Sequence, residues 1–132
     1  MVNVVRDYLE AKVRTATPEV LVLIVYEGAL KFLRQAEYAL KQENYPAAVR
    51  ASVRVQDIMS ELTAALDPTK APEIVENLEK LYDYVSRQTA EAVAKRDPGM
   101  LGTPIKVIEE LYDTWKKNIV ENLSVTRNYC AK

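Results

Sequence analysis

The sequence predicts an all-α protein, an antiparallel up-down-up-down four-helix bundle that follows an N-terminal arm. Prolines recur where helices begin, because the first helical turn tolerates a residue that lacks an N–H. Between the prolines, apolar residues recur every three or four positions, and no segment shows the two-residue alternation of a β-strand. The connections between the segments are short, which favours antiparallel neighbours.

The helix-start signals divide the chain into four helical segments. They predict helices at about residues 18–42, 46–66, 72–95 and 98/104–123. The start of the fourth helix stays open between Pro98 and Pro104, because Gly102 lies between them. We expect three regions: an N-terminal arm over residues 1–16, the bundle over residues 17–123, and a mobile C-terminal tail over residues 124–132.

Each predicted helix carries an apolar stripe that indicates its core-facing side. In the first helix the stripe is Val22, Val25, Ala29, Phe32, Leu33, Ala36 and Leu40. In the second it is Ala48, Ala51, Val55, Ile58, Met59, Leu62 and Leu66. In the third it is Ile74, Leu78, Leu81, Val85 and Ala92, and in the fourth it is Leu101, Ile105, Ile108, Tyr112, Trp115 and Ile119.

The helices carry more apolar surface than these stripes use. At about 100° per residue, four apolar residues of the first helix fall opposite the small core residues Ala29 and Ala36. They are Val20, Leu23, Ile24 and Leu30, and they share that side with Glu27. Outside the stripes of the other helices lie Val49, Val53, Tyr82, Tyr84, Val107 and Leu111. Gly28 in the middle of the first helix indicates close packing against a neighbouring backbone or a ligand.

We predict that this surplus surface binds a partner, as a groove accepts an amphipathic helix or an extended chain. Two alternatives stay open: the first helix touches two neighbours within the bundle, or the N-terminal arm covers the extra face. A third possibility is a homo-oligomeric scaffold whose subunits bury this surface against each other. The sequence favours a monomer without fixing the oligomeric state.

The composition argues against several classes of function. A net charge of −1 gives no general attraction to nucleic acid or to anionic membranes. The absence of histidine removes the commonest general base and metal ligand, and the sequence indicates no cofactor, metal or catalytic site. The single cysteine, Cys130, suits a reducing cytoplasm. An all-helical enzyme of the chorismate mutase type, using Arg50, Arg54 or Arg87 to bind a dicarboxylate, stays the least favoured alternative.

Several motifs resemble the FliS family, the flagellin-specific export chaperones. The family typically shows T-A-S-P-E-x-L and then L-Y-D-G-A, and this chain has T-A-T-P-E-V-L and V-Y-E-G-A between Thr15 and Ala29. The run from Glu73 to Tyr84 is similar to the family's E-I-x-x-N-L-x-x-L-Y-x-Y. Further matches are Leu111-Tyr112-Asp113-Thr114-Trp115 and, in the arm, Tyr8. Departures are Glu27 for Asp, Val25 for Leu, and Ala71-Pro72 for Gly-Gly, which changes the loop before the third helix.

The resemblance implies a cytoplasmic four-helix bundle that binds the disordered C-terminal segment of flagellin. Such a chaperone keeps flagellin from polymerising early and helps to deliver it to the export gate of the flagellar type III apparatus. An export-gate component is therefore a second implied partner. The resemblance also implies that the N-terminal arm, with Tyr8, covers part of the binding surface when the chaperone is empty. It implies neither catalysis nor a cofactor.

Overall fold

The computed structural model describes the backbone of residues 18–130 and the side chains of residues 19–118. Over this range the chain forms four α-helices and one short 3-10 helix, without a strand. The helices are α1 (Pro18–Lys41), α2 (Tyr45–Ala64), α3 (Pro72–Ala94), the 3-10 helix (Pro98–Leu101) and α4 (Gly102–Cys130). The predicted all-α fold class is therefore confirmed, whereas the N-terminal arm over residues 1–16 lies outside the described residues.

Contacts between α1 and α4 show how the helices are arranged. The beginning of α1 meets the later part of α4 at Glu19 and Trp115, and the later part of α1 meets the earlier part of α4 at Arg34 and Glu109. These two helices are therefore antiparallel. Helices α1 and α3 each contact the other three helices, α1 over the larger surface, whereas α2 and α4 do not touch within the described residues. Helix α1 is thus the most central element of the bundle.

The prolines and their neighbours set the helix starts as predicted. Asn44 caps α2 by accepting a hydrogen bond from the backbone N–H of Ala47, and Pro72 is the first residue of α3. The sequence left the start of the fourth helix open between Pro98 and Pro104. The structure has two elements there: the 3-10 helix begins at Pro98, and α4 begins at Gly102.

The predicted end of the fourth helix near Leu123 is wrong. Helix α4 continues to Cys130 because no glycine or proline follows Pro104, so the sequence contains no residue that would stop the helix. Much of the segment expected to be a tail, residues 124–132, is therefore helical. The mobility predicted for that segment stays a prediction.

Helices α1 and α3 end in the same way, each with a residue in the left-handed region. Glu43 has φ 57° and Arg96 has φ 55°. The backbone N–H of Asn44 donates to the carbonyl of Ala39 at 2.8 Å, and that of Asp97 donates to the carbonyl of Ala92 at 2.9 Å. These bonds are the Schellman pattern, in which a glycine is usual at the left-handed position. Both turns therefore carry backbone strain that a glycine would remove.

One apolar core runs through the described helices. Its fully enclosed members, with almost no solvent-accessible surface, are Ala29, Leu33, Ala36, Ala48, Val55, Val85, Ala92, Leu101 and Ile108. The predicted stripe of α2 is buried from Ala48 to Leu62, while Leu66 is half-buried against the core. The predicted core positions Val22, Val25, Ile105, Tyr112 and Trp115 are likewise partly buried and pack against it.

The predicted core face of α3 needs a correction. Ile74 is 61% exposed, and its neighbour Val75 is buried instead. The core line instead includes Tyr82, which the sequence analysis placed outside the stripe, and Thr89. Each is buried with its hydroxyl paired, Tyr82 to Tyr26 and Thr89 to the backbone carbonyl of Val85. Paired hydroxyls remove most of the cost of burying these side chains, so the helix turns this face inward.

The interpretation of Gly28 as a site of close packing inside the bundle is also wrong. A methyl group placed on Gly28 would meet the side chain of Ile58 at 3.8 Å, which is an ordinary van der Waals contact. The bundle would therefore accommodate an alanine at this position.

Candidate partner-binding site

The two ends of the bundle differ in how well their apolar residues are covered. We define the closed end as residues 29–41 of α1, 45–55 of α2, 85–94 of α3, Leu101 of the 3-10 helix and residues 102–108 at the start of α4. We define the open end as residues 18–25 of α1, 72–81 of α3 and 111–118 of α4. The contact between Trp115 and Glu19 places α4 at the open end, and the contact between Tyr26 and Tyr82 places the first halves of α1 and α3 side by side.

Apolar side chains at the open end are incompletely buried on three helices. The half-buried residues are Val20, Leu21, Val22, Leu23 and Val25 of α1, Leu78 and Leu81 of α3, and Leu111 and Trp115 of α4. Ile74 of α3 is exposed. Helices α3 and α4 contact each other over a small surface, and α3 packs more on the 3-10 helix, which lies at the closed end, than on α4. Helix α4 therefore leaves the first half of α3 incompletely covered.

The seam between α1 and α4 is polar and is spanned by three hydrogen bonds. The indole Nε1 of Trp115 donates to the carbonyl oxygen of Glu19 at 2.8 Å, and the hydroxyl of Tyr112 donates to a carboxylate oxygen of Glu27 at 3.0 Å. The third bond, between Arg34 and Glu109, is a solvent-exposed ion pair at 3.0 Å. The hydrogen bond to the Glu27 carboxylate raises the pKa of Tyr112 above its ordinary value. Polar bonds thus hold α4 on α1 where apolar packing is incomplete.

An open groove runs along this seam. Its volume is about 770 Å³. It is lined by Glu27, Leu30, Lys31, Arg34, Gln35, Tyr38, Glu109, Tyr112 and Asp113. The lining mixes both charge signs with apolar and aromatic surface, and the side chain of Tyr38 is 66% exposed at one edge. The groove thus presents polar side chains along a path that joins the two ends of the bundle.

A buried tyrosine pair marks the boundary between the two ends. The hydroxyls of Tyr26 and Tyr82 are 2.7 Å apart, and one donates to the other. The rings are tilted by 53° with their centroids 6.4 Å apart, and each side chain is only 2% exposed. Burial, which disfavours the charged phenolate, raises the pKa of both tyrosines. The pair provides the polar contact across the bundle from α1 to α3.

The predicted partner-binding residues of α1 fall into two groups. Val20 and Leu23 are half-buried at the open end, and Glu27 is exposed beside the groove. The prediction that Ile24 and Leu30 face away from the bundle is wrong, because they are only 7% and 8% exposed. Helix α1 packs against all three other helices, so it buries more than one stripe. That outcome matches the alternative in which the first helix touches more than one neighbour.

The remaining predicted residues do not form one patch with those of α1. Val49 and Val53 are 49% and 40% exposed on α2, but they lie at the closed end. Along the bundle axis Val49 is about 25 Å from Val20, at 1.5 Å per helical residue. Tyr84 is 37% exposed, whereas Tyr82 lies in the core rather than on its shoulder.

Helix α4 supplies two further predicted residues. Val107 and Leu111 are half-buried and pack against the core. Tyr8 lies outside the described residues. The structure therefore brings Val20, Leu23 and Leu111 to the open end and leaves the α2 pair apart from them.

Sequence reasoning missed part of the open end. Ile74, Leu78, Leu81 and Trp115 were predicted to be core residues, yet they keep accessible apolar surface there. Periodicity identifies the apolar face of a helix but does not show whether another helix covers it. The described residues contain no group of acidic or cysteine side chains that would hold a metal ion. None of the described helices is long and apolar enough to cross a membrane.

Comparison with known proteins identifies the family of the chain. The family model described as flagellar protein FliS matches residues 1–122. The chain is 32% identical to the flagellar secretion chaperone FliS of Bacillus subtilis over 112 residues, which cover 85% of this chain and 83% of that protein. It is 30% identical to the protein of the same name from Vibrio cholerae, with 81% and 79% covered.

The fold agrees with this relationship. A solved structure described as a flagellar chaperone from bacteria superimposes with a TM-score of 0.75 at 19% identity, covering 91% of this chain and 98% of that one. The relatives are named as chaperones, which are not enzymes, so the prediction of a non-enzymatic protein is confirmed. The open end of this helical bundle presents apolar surface on three helices, and the sequence matches the family model almost throughout. The chain therefore belongs to the FliS family of flagellar secretion chaperones.

Proposed function

We propose that this protein is a cytoplasmic export chaperone that binds the disordered C-terminal segment of flagellin, prevents its premature polymerisation and aids type III flagellar export. The observation that carries the proposal is the half-buried apolar surface that three helices share at the open end. Membership of a family of flagellar secretion chaperones supports a flagellar protein as the client. An export-gate component is the second partner in this proposal.

The mechanism is shared burial of apolar surface. An amphipathic client segment cannot cover its apolar face alone, and the open end offers it Val20 and Leu23 of α1, Leu81 of α3 and Leu111 of α4. Folding of a segment on its partner typically buries about 1,000–3,000 Å² and loses several kcal/mol to ordering. That ordering cost keeps the affinity moderate, which suits release at the export gate.

The other predicted contacts have different positions in this mechanism. Ile24, Leu30 and Tyr82 are buried in the bundle, so they pack behind the binding surface and do not contact the client directly. Glu27 offers a carboxylate beside the groove, and the exposed Tyr84 borders the apolar surface. Val49, Val53 and Val107 are contacts only for a client that wraps further around the bundle. We also propose that Tyr8 of the N-terminal arm covers part of this surface in the empty chaperone.

The test is calorimetry with a peptide of the flagellin C-terminal segment. Leu23→Asp places a charge on the half-buried surface, and we expect it to weaken binding by about tenfold or more, because a charge is costly to bury against apolar groups. The matched control is Ala90→Asp, which adds the same charge at an exposed position of α3 at the closed end. We expect the control to bind like the wild type.

Each outcome has a clear meaning when circular dichroism shows that both variants stay helical. No binding by the wild type contradicts the chaperone function. Wild-type binding that Leu23→Asp does not weaken places the client elsewhere on the bundle. Sedimentation of the free protein tests the homo-oligomeric alternative, and we expect a monomer. A stable oligomer that dissociates in the Leu23→Asp variant would make the open end a subunit interface.

A further inference from the structure

A second cleft lies between α1 and α2 at the closed end. Its volume is about 350 Å³. Two arginines of α2, Arg50 and Arg54, line it together with the neutral polar side chains of Gln35, Gln42 and Asn44. Its lining contains no carboxylate. The cleft therefore has an uncompensated positive charge in a protein whose net charge is −1.

The two arginines of the cleft have no acidic partner among the described residues. Arg34 and Arg87, by comparison, pair with carboxylates at 3.0 Å and 2.9 Å. The guanidinium of Arg54 lies over the ring of Phe32, with 5.2 Å between its carbon and the ring centroid. Its Nε is buried and has no hydrogen-bond partner. Buried N–H donors in folded proteins are nearly always paired, so this guanidinium suits a ligand that supplies an acceptor.

The start of α2 adds to the positive potential. The exposed N–H groups of a first helical turn carry a partial positive charge, and acidic residues commonly balance it. The first turn of α2 contains no acidic residue, and its cap is the neutral Asn44. A carboxylate suits such a site because a guanidinium binds it with two parallel hydrogen bonds.

The cleft adjoins the groove between α1 and α4. Gln35 and Tyr38 line both depressions, on the two sides of α1. Tyr38 is 66% exposed between them and offers its ring to a chain that crosses α1. The two depressions thus form one path, which passes from the α1–α4 seam across α1 to the arginines of α2.

We propose that the α1–α2 cleft binds an aspartate or glutamate side chain of the client. The client leaves the open end along the α1–α4 groove, crosses α1 at Tyr38 and places the carboxylate on Arg54 and Arg50. This assignment rests on the proposed function, because it gives the same flagellin segment a second, electrostatic contact. Apolar burial at the open end supplies affinity, and the arginine cleft fixes the position of the segment along the bundle.

Calorimetry with the flagellin C-terminal peptide tests the cleft at low and high salt, at about 50 mM and about 300 mM NaCl. The variant is Arg50→Gln/Arg54→Gln, and the matched control is Arg87→Gln, which removes an exposed arginine of α3 that already has a partner. We expect the double variant to bind about tenfold more weakly at low salt, as the loss of a charge-assisted pair predicts. We also expect its affinity to change less with salt than that of the wild type.

The single variant Arg50→Gln guards against a folding defect, because Arg54 packs on Phe32 whereas Arg50 is exposed. We expect this variant to keep the wild-type melting temperature and to lose part of the affinity. Unchanged binding by the double variant at both salt concentrations would overturn the arginine cleft while leaving the chaperone function in place. Absence of binding by the wild type would overturn both.

Peptide variants identify the carboxylate. Each aspartate or glutamate of the segment is replaced by its amide, and each peptide is titrated into the wild type and into Arg50→Gln/Arg54→Gln. We expect one peptide to bind the wild type more weakly and to show no further loss against the double variant, since contacting groups are not additive. If every peptide shows the same loss against both proteins, the cleft does not hold a client carboxylate.

Discussion

The closed end takes in all four helices, whereas the open end is formed by α1, α3 and α4, and the two ends are packed differently. At the closed end Leu33, Val55, Val85 and Ile108 have almost no accessible surface. At the open end the apolar residues at the start of α1 are mostly half-buried, and Ile74 is 61% exposed. The closed end thus buries its apolar residues more completely than the open end does, and the open end keeps the accessible apolar surface on which the proposed function rests.

Side-chain size and the 3-10 helix account for this difference. Small residues of α1 and α2 face each other at the closed end and allow close approach of the two helices, among them Ala36, Ala39, Ala48 and Ala51. The 3-10 helix then places Leu101 in the core beside α3. At the open end the larger side chain of Trp115 is only partly buried, and its indole donates a hydrogen bond to the backbone of α1.

The largest expected effect is that of truncating the closed-end core. Leu33→Ala should lower the free energy of unfolding by about 2–5 kcal/mol, because it removes a fully enclosed side chain and leaves a cavity. The matched change at the open end, Leu23→Ala, should cost only about 1 kcal/mol, since part of that side chain is already in water. Urea unfolding of both variants measures the difference. Equal losses would show that the two ends contribute equally to stability.

The tyrosine pair at the boundary should give the next largest effect. Tyr26→Phe should cost about 1–3 kcal/mol by leaving the buried hydroxyl of Tyr82 unpaired. Replacing both residues by Phe should cost less, because no buried hydroxyl then lacks a partner. Urea unfolding at neutral pH measures both variants. If the double variant is less stable than Tyr26→Phe, the unpaired hydroxyl of Tyr82 is not the main cost of the single substitution.

Alkaline pH sharpens the same comparison. Folding raises the pKa of Tyr26 and Tyr82, so the folded protein keeps their protons above pH about 10, where the unfolded chain loses them. The contribution of the two tyrosines to the free energy of unfolding is therefore complete below pH 10. Above pH 10 the free energy of unfolding should fall by about 1.4 kcal/mol per pH unit for each of the two tyrosines. The double Phe variant should lack this loss, whereas the exposed-site control Tyr38→Phe should retain it. An unchanged alkaline profile in the double variant would contradict the assignment.

The smallest expected effect concerns the turn that ends α1 at the closed end. Glu43→Gly should raise the free energy of unfolding by about 1 kcal/mol, because glycine adopts the left-handed backbone without a steric cost. Arg96→Gly should raise the free energy of unfolding by less, because it removes a guanidinium that lies over the ring of Tyr45, 4.0 Å from the ring centroid. Thermal unfolding of the two variants measures both gains. A loss of stability in Glu43→Gly would show that its side chain contributes more than the strain costs.

The sequence indicated much of the architecture before any contact was known. Proline positions predicted the starts of α1, α2 and α3 to within a residue, because the first helical turn is where proline fits. The end of α4 was not predictable in this way, since no glycine or proline marks it. On α3, periodicity predicted Ile74 as a core position, whereas the core line that contains the buried Tyr82 runs through Val75 instead.

The candidate site was less accessible to sequence reasoning. The pattern on α1 showed more apolar residues than one stripe requires, which predicted a partner groove and left open a helix that touches two neighbours. It did not distinguish Ile24 and Leu30, which the bundle buries, from Val20 and Leu23, which stay partly accessible. Residues such as Leu81 had no signal that separated them from ordinary core positions.

By itself the sequence determined the helices, their order and the surplus of apolar surface, because these follow from local backbone preferences and from a count of apolar side chains. The tertiary structure alone decided where that surplus lies. Helix α3 packs on the 3-10 helix more than on α4, and α1 is covered on several sides at once. Burial depends on which neighbour covers a face, and that arrangement is not contained in the periodicity of any single helix.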